Sequence, residues 1–149
     1  MKQYTTHSAI ETTALGEIFA QDCRQGDVLA FFGGLGMGKT SFIQGLVKGL
    51  GISADVTSPT FSLVNEYRSD KYCVYHFDMY RINTWEDLYS TGFFDYLETD
   101  AILACEWSEN IENVLPTGAK YICFERGSGD NDRIITIGTG EECSENIGN

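Results

Sequence analysis

The chain has 149 residues, of which 42% are hydrophobic and 21% are charged, a composition typical of a folded globular protein and not of a disordered one. Its 22 acidic and 10 basic residues give a net charge of −12, which disfavours direct binding of nucleic acid through its phosphates. Five cysteines without a C-x-x-C pair predict neither a disulfide framework nor a zinc site. Because no apolar run could span a membrane and the N-terminus has no signal-peptide core, we expect a cytoplasmic protein without membrane contact.

The first part of the chain predicts a short edge strand, a helix and a buried strand, in that order. Residues 2–6 give a weak strand signal, and Ser8 followed by Glu11 forms a capping box that predicts the start of a helix. The continuous apolar run at residues 28–32 predicts a parallel strand that is buried on both faces. We expect the apolar face of the helix to consist of Ile10, Ala14, Ile18 and Phe19.

The next stretch, residues 33–40, fits the pattern G-x-x-x-x-G-K-[ST] of the phosphate-binding loop, or P-loop. Its glycines allow successive backbone N–H groups to turn toward an anion. In this pattern Lys39 reaches the β- and γ-phosphates of a nucleotide, and the hydroxyl of Thr40 takes one position on Mg²⁺. The loop follows a buried strand and leads into a predicted helix over residues 40–50 that Gly51 ends, so the order required for nucleotide binding is complete.

The rest of the chain alternates between strands and short helices. This alternation predicts an α/β fold, a three-layer P-loop nucleotidase fold with a mostly parallel central sheet. We expect a single domain over residues 1–138 and a disordered acidic tail over residues 139–149. The remaining predicted elements are strands over 61–67 and 72–78, a short helix capped by Thr84, a strand over 101–105, a helical stretch from Ser108 that Pro116 stops, and strands over 120–125 and 133–137.

A second part of the nucleotide site is expected from carboxylates at strand ends. Asp78 and Glu106 each close an apolar strand, and the carboxyl ends of parallel strands line the ligand crevice of an open sheet. One carboxylate would bind Mg²⁺, while the other would orient water or sense the γ-phosphate; the residues alone leave open which does which. Arg81 is either a surface residue or a group that stabilises phosphate charge, and His76 is interpreted as a hydrogen-bonded structural histidine.

Four motifs follow one another in the chain: GGLGMGKTSF at 33–42, SPTFSLVNEY at 58–67, HFDMYR at 76–81 and EW at 106–107. Taken together and in this order, they resemble the TsaE (YjeE) family of bacterial P-loop ATPases, which are needed to make threonylcarbamoyladenosine in tRNA. The resemblance covers about residues 8–116 and departs from the family pattern at Gly34, which replaces the usual acid, and at Met37, which replaces a small residue. Any contribution of that acid to hydrolysis is therefore absent.

The resemblance implies an ATPase that uses ATP and Mg²⁺, hydrolyses weakly alone, and depends on TsaD and TsaB type partner proteins that would hold the tRNA. It implies that Thr40 and Glu106 bind the metal and that Asp78 and Lys39 act in hydrolysis. Residues 58–60 would behave as a nucleotide-sensing switch. The loop pattern and the resemblance together predict ATP-binding residues Glu11, Thr12, Gly36, Met37, Gly38, Lys39, Thr40 and Ser41.

Two alternatives remain open. A small-molecule kinase would close an arginine-rich lid over the phosphates, but the middle of the chain has only Arg68 and Arg81 and no lid-like insertion. A non-hydrolysing, nucleotide-gated interaction module stays possible because of Gly34. A GTPase is disfavoured, since the chain contains no K-x-D triplet for guanine recognition.

Overall fold

The computed structural model describes residues 1–59 and 64–147. The strands of this described part are β1 (Lys2–Thr6), β2 (Val28–Phe32), β3 (Val64–Arg68), β4 (Cys73–Asp78), β5 (Ile102–Glu106), β6 (Lys120–Arg126) and β7 (Arg133–Thr139). Its α-helices are α1 (Ala9–Phe19), α2 (Lys39–Gly49), α3 (Trp85–Ser90), α4 (Phe93–Leu97) and α5 (Gly140–Ile147). Short 3₁₀ turns occupy Ala20–Asp22, Ser108–Asn110 and Glu112–Val114.

The strands form one sheet in the order β1-β7-β6-β2-β5-β4-β3. The four central strands β6, β2, β5 and β4 run parallel, and the flanking strands β3, β7 and β1 pair antiparallel. Strands β2 and β5 are buried along their whole length, as their continuous apolar runs predicted. The prediction of an α/β fold with a mostly parallel centre is confirmed.

The hydrophobic core lies on both faces of the sheet, which gives three layers. Because successive side chains of a strand point to opposite faces, Leu29 and Phe31 of β2 pack in the core that includes α1 and α2. Their neighbours Ala30 and Phe32 pack in the core that includes α3 and α4. Strand β2 therefore carries the loop at its end between two packed layers.

Helix α1 buries a different face from the one that its large apolar residues predicted. Ile10 and Ile18 are 82% and 62% exposed, and Ala14 is exposed as well. Of the predicted face only Phe19 is buried, so the prediction is wrong for the other three residues. The side of α1 that contacts α2 has Gly16 at its centre.

The reason is a close approach between two helix backbones. A Cβ atom at Gly16 would lie 2.1 Å from the carbonyl oxygen of Phe42, and one at Gly45 would lie 1.9 Å from that of Thr13. Both distances are far inside van der Waals contact, so any side chain at either position requires the backbones to separate. A search for large apolar residues at helical spacing cannot find an interface made by glycines.

We expect Gly45→Ala to lower the free energy of unfolding by about 3 kcal/mol, the upper end for overpacking, because the new methyl meets backbone rather than a flexible side chain. Urea unfolding measures this change. Gly34→Ala is the matched control, since a Cβ there meets nothing within 4 Å, and its change should stay within about 0.5 kcal/mol. A Gly45→Ala variant as stable as the wild type would contradict the close approach, because helix propensity alone favours alanine by about 1 kcal/mol.

The structure corrects the element that was predicted from Ser108. Residues 108–114 form two 3₁₀ turns and not a capped helix. The hydroxyl of Ser108 is buried and donates to the carbonyl of Cys105 at 2.8 Å, and neither 3₁₀ turn has a side-chain cap. Trp107 before it has a φ of 58°, a left-handed conformation that turns the chain sharply after β5.

The C-terminal segment also differs from the predicted disordered tail. Strand β7 continues through Thr139, and helix α5 follows it directly. Within α5, Cys143 is 1% exposed and belongs to the second core. This apolar contact is hidden by the acidic composition of the segment, which is why composition predicted disorder.

Several predicted boundaries agree with the structure. Thr84 caps α3 by accepting from the N–H of Asp87, and helix α2 ends before Gly51, whose φ of 78° suits a helix terminus. Helix α4 (Phe93–Leu97) was not predicted from the sequence. The strand predicted over 61–67 is described from Val64 onward, and residues 60–63 lie outside the described part.

Within residues 1–59 and 64–147 no helix has the length and apolarity needed to cross a membrane.

Candidate nucleotide-binding site

The loop between β2 and α2 lies at the carboxyl edge of the parallel strands. Its residues Gly33, Gly36 and Gly38 have φ angles of 139°, 73° and 101°, values that residues with side chains rarely adopt. Gly38 directly precedes α2, so the N-terminus of that helix and its unpaired N–H groups adjoin the loop. This arrangement of backbone donors suits an anion.

A cavity of about 510 Å³ lies over the loop and brings most of the predicted site residues together. The exception is Glu11, which does not line the cavity; its carboxylate instead accepts from the backbone N–H of His7 at 3.3 Å. The predicted residues that line the cavity are Thr12, Gly36, Met37, Gly38, Lys39, Thr40, Ser41, Asp78 and Glu106. The cavity is also lined by Leu35 of the predicted loop and by Ser58 of the segment expected to sense the nucleotide. The lining residues that had no predicted role in the site are Ser8, Ala9, Trp107, Asn131 and Arg133.

Lys39 is held at the base of the loop and is only 5% exposed. Its Nζ atom donates to the carbonyl of Gly33 at 2.6 Å and lies 4.1 Å from the centroid of the Trp107 ring, a cation–π contact. The structure thus places the Trp107 ring against the ammonium group of Lys39. Because both contacts are on fixed parts of the fold, the ammonium group has a defined position.

The charge of Lys39 is balanced by its surroundings. Burial lowers the pKa of Lys39 from its ordinary value, and the nearby carboxylates of Glu106, Glu109 and Asp78 act in the opposite direction. The site therefore combines one buried cation with several acids, an arrangement that suits a ligand made of phosphates and a divalent cation. Glu109 was not predicted; its Oε2 accepts from the N–H of Gly33 at 3.0 Å.

Asp78 and Glu106 lie side by side, as the strand ends predicted. The parallel register of β4 and β5 pairs Asp78 with Glu106, so both carboxylates stand at the same edge of the sheet. Glu106 is 4% exposed, and its Oε2 lies 2.6 Å from Nε2 of the fully buried His76. The Oδ1 of Asp78 accepts from the N–H of Tyr80 at 2.9 Å. Each carboxylate thus has one oxygen fixed by the protein.

The oxygens at this edge fit a magnesium ion that is shared with a ligand. Thr40, Asp78 and Glu106 all line the cavity. In the described part of the chain no group of three or more His, Cys, Asp or Glu side chains could hold a metal without further ligands. Mg²⁺ is usually bound through one or two carboxylates together with phosphate oxygens and water, so this donor set matches its chemistry.

The turn between β6 and β7 forms a wall of the cavity that sequence reasoning missed. Arg133 donates from Nη2 to the carbonyl of Gly36 at 3.2 Å, which ties this turn to the loop. Asp132 beside it lies 2.8 Å from Nδ1 of His7, and this hydrogen bond raises the pKa of His7. Nothing near Arg133 or Asp132 in the sequence marks this role. Arg133 is 97 positions from Gly36 in the chain, and Asp132 is 125 positions from His7.

Comparison with known proteins agrees with this geometry. A family model described as threonylcarbamoyl adenosine biosynthesis protein TsaE matches residues 6–135. The chain is 39% identical over 140 residues to the TsaE protein of Bacillus subtilis, which covers 92% of this chain and 86% of that protein. It is 33% identical over 132 residues to the TsaE protein of Treponema pallidum, with 89% and 96% covered.

A solved structure agrees as well. The crystal structure of Bacillus subtilis YdiB matches with a TM-score of 0.78 at 32% identity, over 99% of this chain and 96% of that one. The family model covers most of the chain, and the similarity extends over most of the length of both relatives. The chain therefore belongs to the TsaE family of tRNA threonylcarbamoyladenosine biosynthesis proteins.

Proposed function

We propose that this protein binds ATP with Mg²⁺ and hydrolyses it as an accessory ATPase in the synthesis of threonylcarbamoyladenosine in tRNA. The observation that carries the proposal is the composition of one cavity. It combines the N-terminus of α2, the buried ammonium of Lys39 and the paired carboxylates of Asp78 and Glu106. Phosphoryl transfer needs this combination, because its catalysis is mostly positioning and stabilisation of charge.

Each residue has a proposed task in this reaction. The N–H groups of the loop bind the phosphates, and Lys39 offsets the charge of the terminal ones. Thr40 and Glu106 hold Mg²⁺, which when bound neutralises charge that develops on the phosphate oxygens. Asp78 orients the attacking water, since its carboxylate stands beside that of Glu106 at the edge of the sheet.

The base of the nucleotide is proposed to lie against the beginning of α1. Thr12 is 2% exposed, and its hydroxyl lies 2.7 Å from that of Thr6, so this wall is rigid. A Cβ at Gly38 would be 3.5 Å from the Cγ2 of Thr12, which places the start of α1 directly beside the loop. Glu11 does not line the cavity, its carboxylate accepts from the N–H of His7 and its own N–H donates to the hydroxyl of Ser8, so no contact between Glu11 and the nucleotide is proposed.

The proposed setting is a cytoplasmic complex with TsaD and TsaB type proteins. The net charge of −12 argues against direct contact with tRNA, so the partners would hold it. Gly34 in the loop leaves out the acid that the family pattern usually has, and slow hydrolysis by the isolated chain is the expected consequence. Partner binding is then proposed to raise the rate.

Release of ADP from ATP, measured with and without Mg²⁺ and with and without these partners, tests the proposal. We expect slow Mg²⁺-dependent hydrolysis by the chain alone and faster hydrolysis in the complex. ADP release that depends on a small-molecule acceptor would instead indicate a kinase. ATP binding without ADP release under any of these conditions would indicate a nucleotide-gated interaction module, and lack of ATP binding would refute all three.

A further inference from the structure

A buried chain of hydrogen-bonding groups runs from Glu106 away from the cavity. Nε2 of His76 lies 2.6 Å from Oε2 of Glu106, and Nδ1 of the same ring lies 3.2 Å from the hydroxyl of Tyr67. The hydroxyl of Tyr67 in turn lies 3.2 Å from the carbonyl oxygen of Thr57. His76 is 0% exposed and Tyr67 is 6% exposed, so these groups have no access to bulk water.

The sheet explains how these side chains meet. His76 is on β4, between β5, which carries Glu106, and β3, which carries Tyr67. Both ring nitrogens of His76 are therefore used, one toward each neighbouring strand. A buried polar group that loses its partner costs free energy, so the ring cannot turn without losing both contacts.

The contact with His76 fixes the carboxylate that is proposed to bind the metal. A glutamate side chain has three rotatable bonds, and a free one samples many positions. Because Oε2 of Glu106 is held by His76, Oε1 is the oxygen that is available to a cation, and its position is limited. Partners of this kind orient metal ligands and tune metal affinity.

We propose that His76 positions the Glu106 carboxylate for the divalent cation that accompanies the nucleotide, and that Tyr67 holds the His76 ring in place. This inference rests on the proposed function, because it concerns the same cation. His76 and Tyr67 are positioning residues: they act through Glu106 and touch neither the nucleotide nor the metal. Their contribution is to the binding of Mg²⁺ and not to that of the phosphates.

The second proposed metal ligand leads to the same segment of the chain. The hydroxyl of Thr40 lies 3.1 Å from that of Ser58, the residue after Thr57. Thr57 also accepts from the side-chain amide of Asn65 at 3.0 Å. Thr40 thus contacts Ser58 directly, and Glu106 is connected to Thr57 through His76 and Tyr67. Residues 57–58 therefore support both proposed metal ligands.

The test measures the affinity of the protein for a ribose-labelled fluorescent ATP analogue, once with Mg²⁺ and once in EDTA. The ratio of these two affinities is the gain in affinity that the cation provides. We expect His76→Ala to reduce this gain by about tenfold, as for other partners of metal ligands, with the affinity in EDTA unchanged. Tyr67→Phe, which keeps the ring and removes the hydroxyl that contacts His76 and Thr57, should reduce the gain by about threefold. His76→Gln should recover part of it, because its amide can donate to Glu106.

Two controls separate positioning from general stability. Tyr75→Phe removes a hydroxyl from β4 that is hydrogen bonded to Arg68 and not to this chain of groups, so it should leave the gain unchanged. In a Glu106→Ala background, His76→Ala should have no further effect on the gain, because the two changes act through one carboxylate. If His76→Ala fails to fold, Tyr67→Phe and His76→Gln decide the question.

The inference would be overturned if the Tyr67→Phe and His76 variants gained as much affinity from Mg²⁺ as the wild type does. An equal loss of affinity with and without Mg²⁺ would overturn it too. Either result would leave the proposed function intact. A wild-type protein that binds the analogue without any gain from Mg²⁺ would refute the proposed role of the cation itself. The two failures are therefore distinct.

Discussion

Lys39→Ala is expected to raise the dissociation constant for ATP by at least about a hundredfold, because hydrogen bonds to charged groups contribute roughly 1.5–3 kcal/mol each and Lys39 is proposed to contact two phosphates. The wild-type ammonium is already held in position by Gly33 and Trp107, so little order has to be gained on binding. Equilibrium titration with the fluorescent ATP analogue measures the change.

Lys48→Ala is the matched control for this variant. Lys48 is in the same helix, but its side chain is 72% exposed at the opposite end of α2, so the dissociation constant should not change. Thermal unfolding of both variants checks that the fold is intact. A Lys39→Ala protein that is folded and binds ATP as well as the wild type would mean that the cavity does not take the phosphates.

Glu106→Ala is expected to weaken binding of ATP in Mg²⁺ by at least about tenfold, the effect typical of groups that support a metal site, and to leave binding in EDTA unchanged or slightly stronger. The reason is that in the proposed site Glu106 supplies an oxygen to the cation, whereas without the cation its negative charge would only repel the phosphates. The same titration, carried out in both buffers, gives the two dissociation constants.

Two comparisons sharpen this result. Glu98→Ala removes an exposed carboxylate at the end of α4, far along the chain from the loop, and should change neither constant. Asp78→Asn should lower the rate of hydrolysis more than the Mg²⁺-dependent affinity if Asp78 orients water. Equal losses of affinity in Mg²⁺ and EDTA for Glu106→Ala would remove Glu106 from the set of metal ligands.

The elements that were predicted correctly from the sequence are those whose conformation is determined by residues close together in the chain. The apolar run of β2 and the glycines of the following loop specify a buried strand and a turn that only glycine accepts easily, and both are found. The positions of Asp78 and Glu106 followed from a rule about strand ends in parallel sheets. The prediction needed no knowledge of distant contacts.

The parts that were missed depend on contacts between distant positions. Ile10 and Ile18 have the spacing of a buried helix face, but the contact between glycines turns the other side of α1 inward. Arg133 reaches the loop from a strand near the end of the chain, and nothing near it in sequence marks that role. Trp107 needed the turn after β5 to bring it against Lys39.

The glycine contacts between α1 and α2 have a consequence for how the cavity can change shape. Helices whose main chains touch cannot slide or roll past each other without collision, so the wall at Thr12 and the loop that leads into α2 keep a constant spacing. Adjustment around the proposed nucleotide would then fall to the walls of the cavity that these two helices do not form, which include Ser58 and Asn131. The wall formed by α1 and α2 therefore stays fixed while the other walls can move. We expect a partner protein that regulates the site to act on the walls that can move.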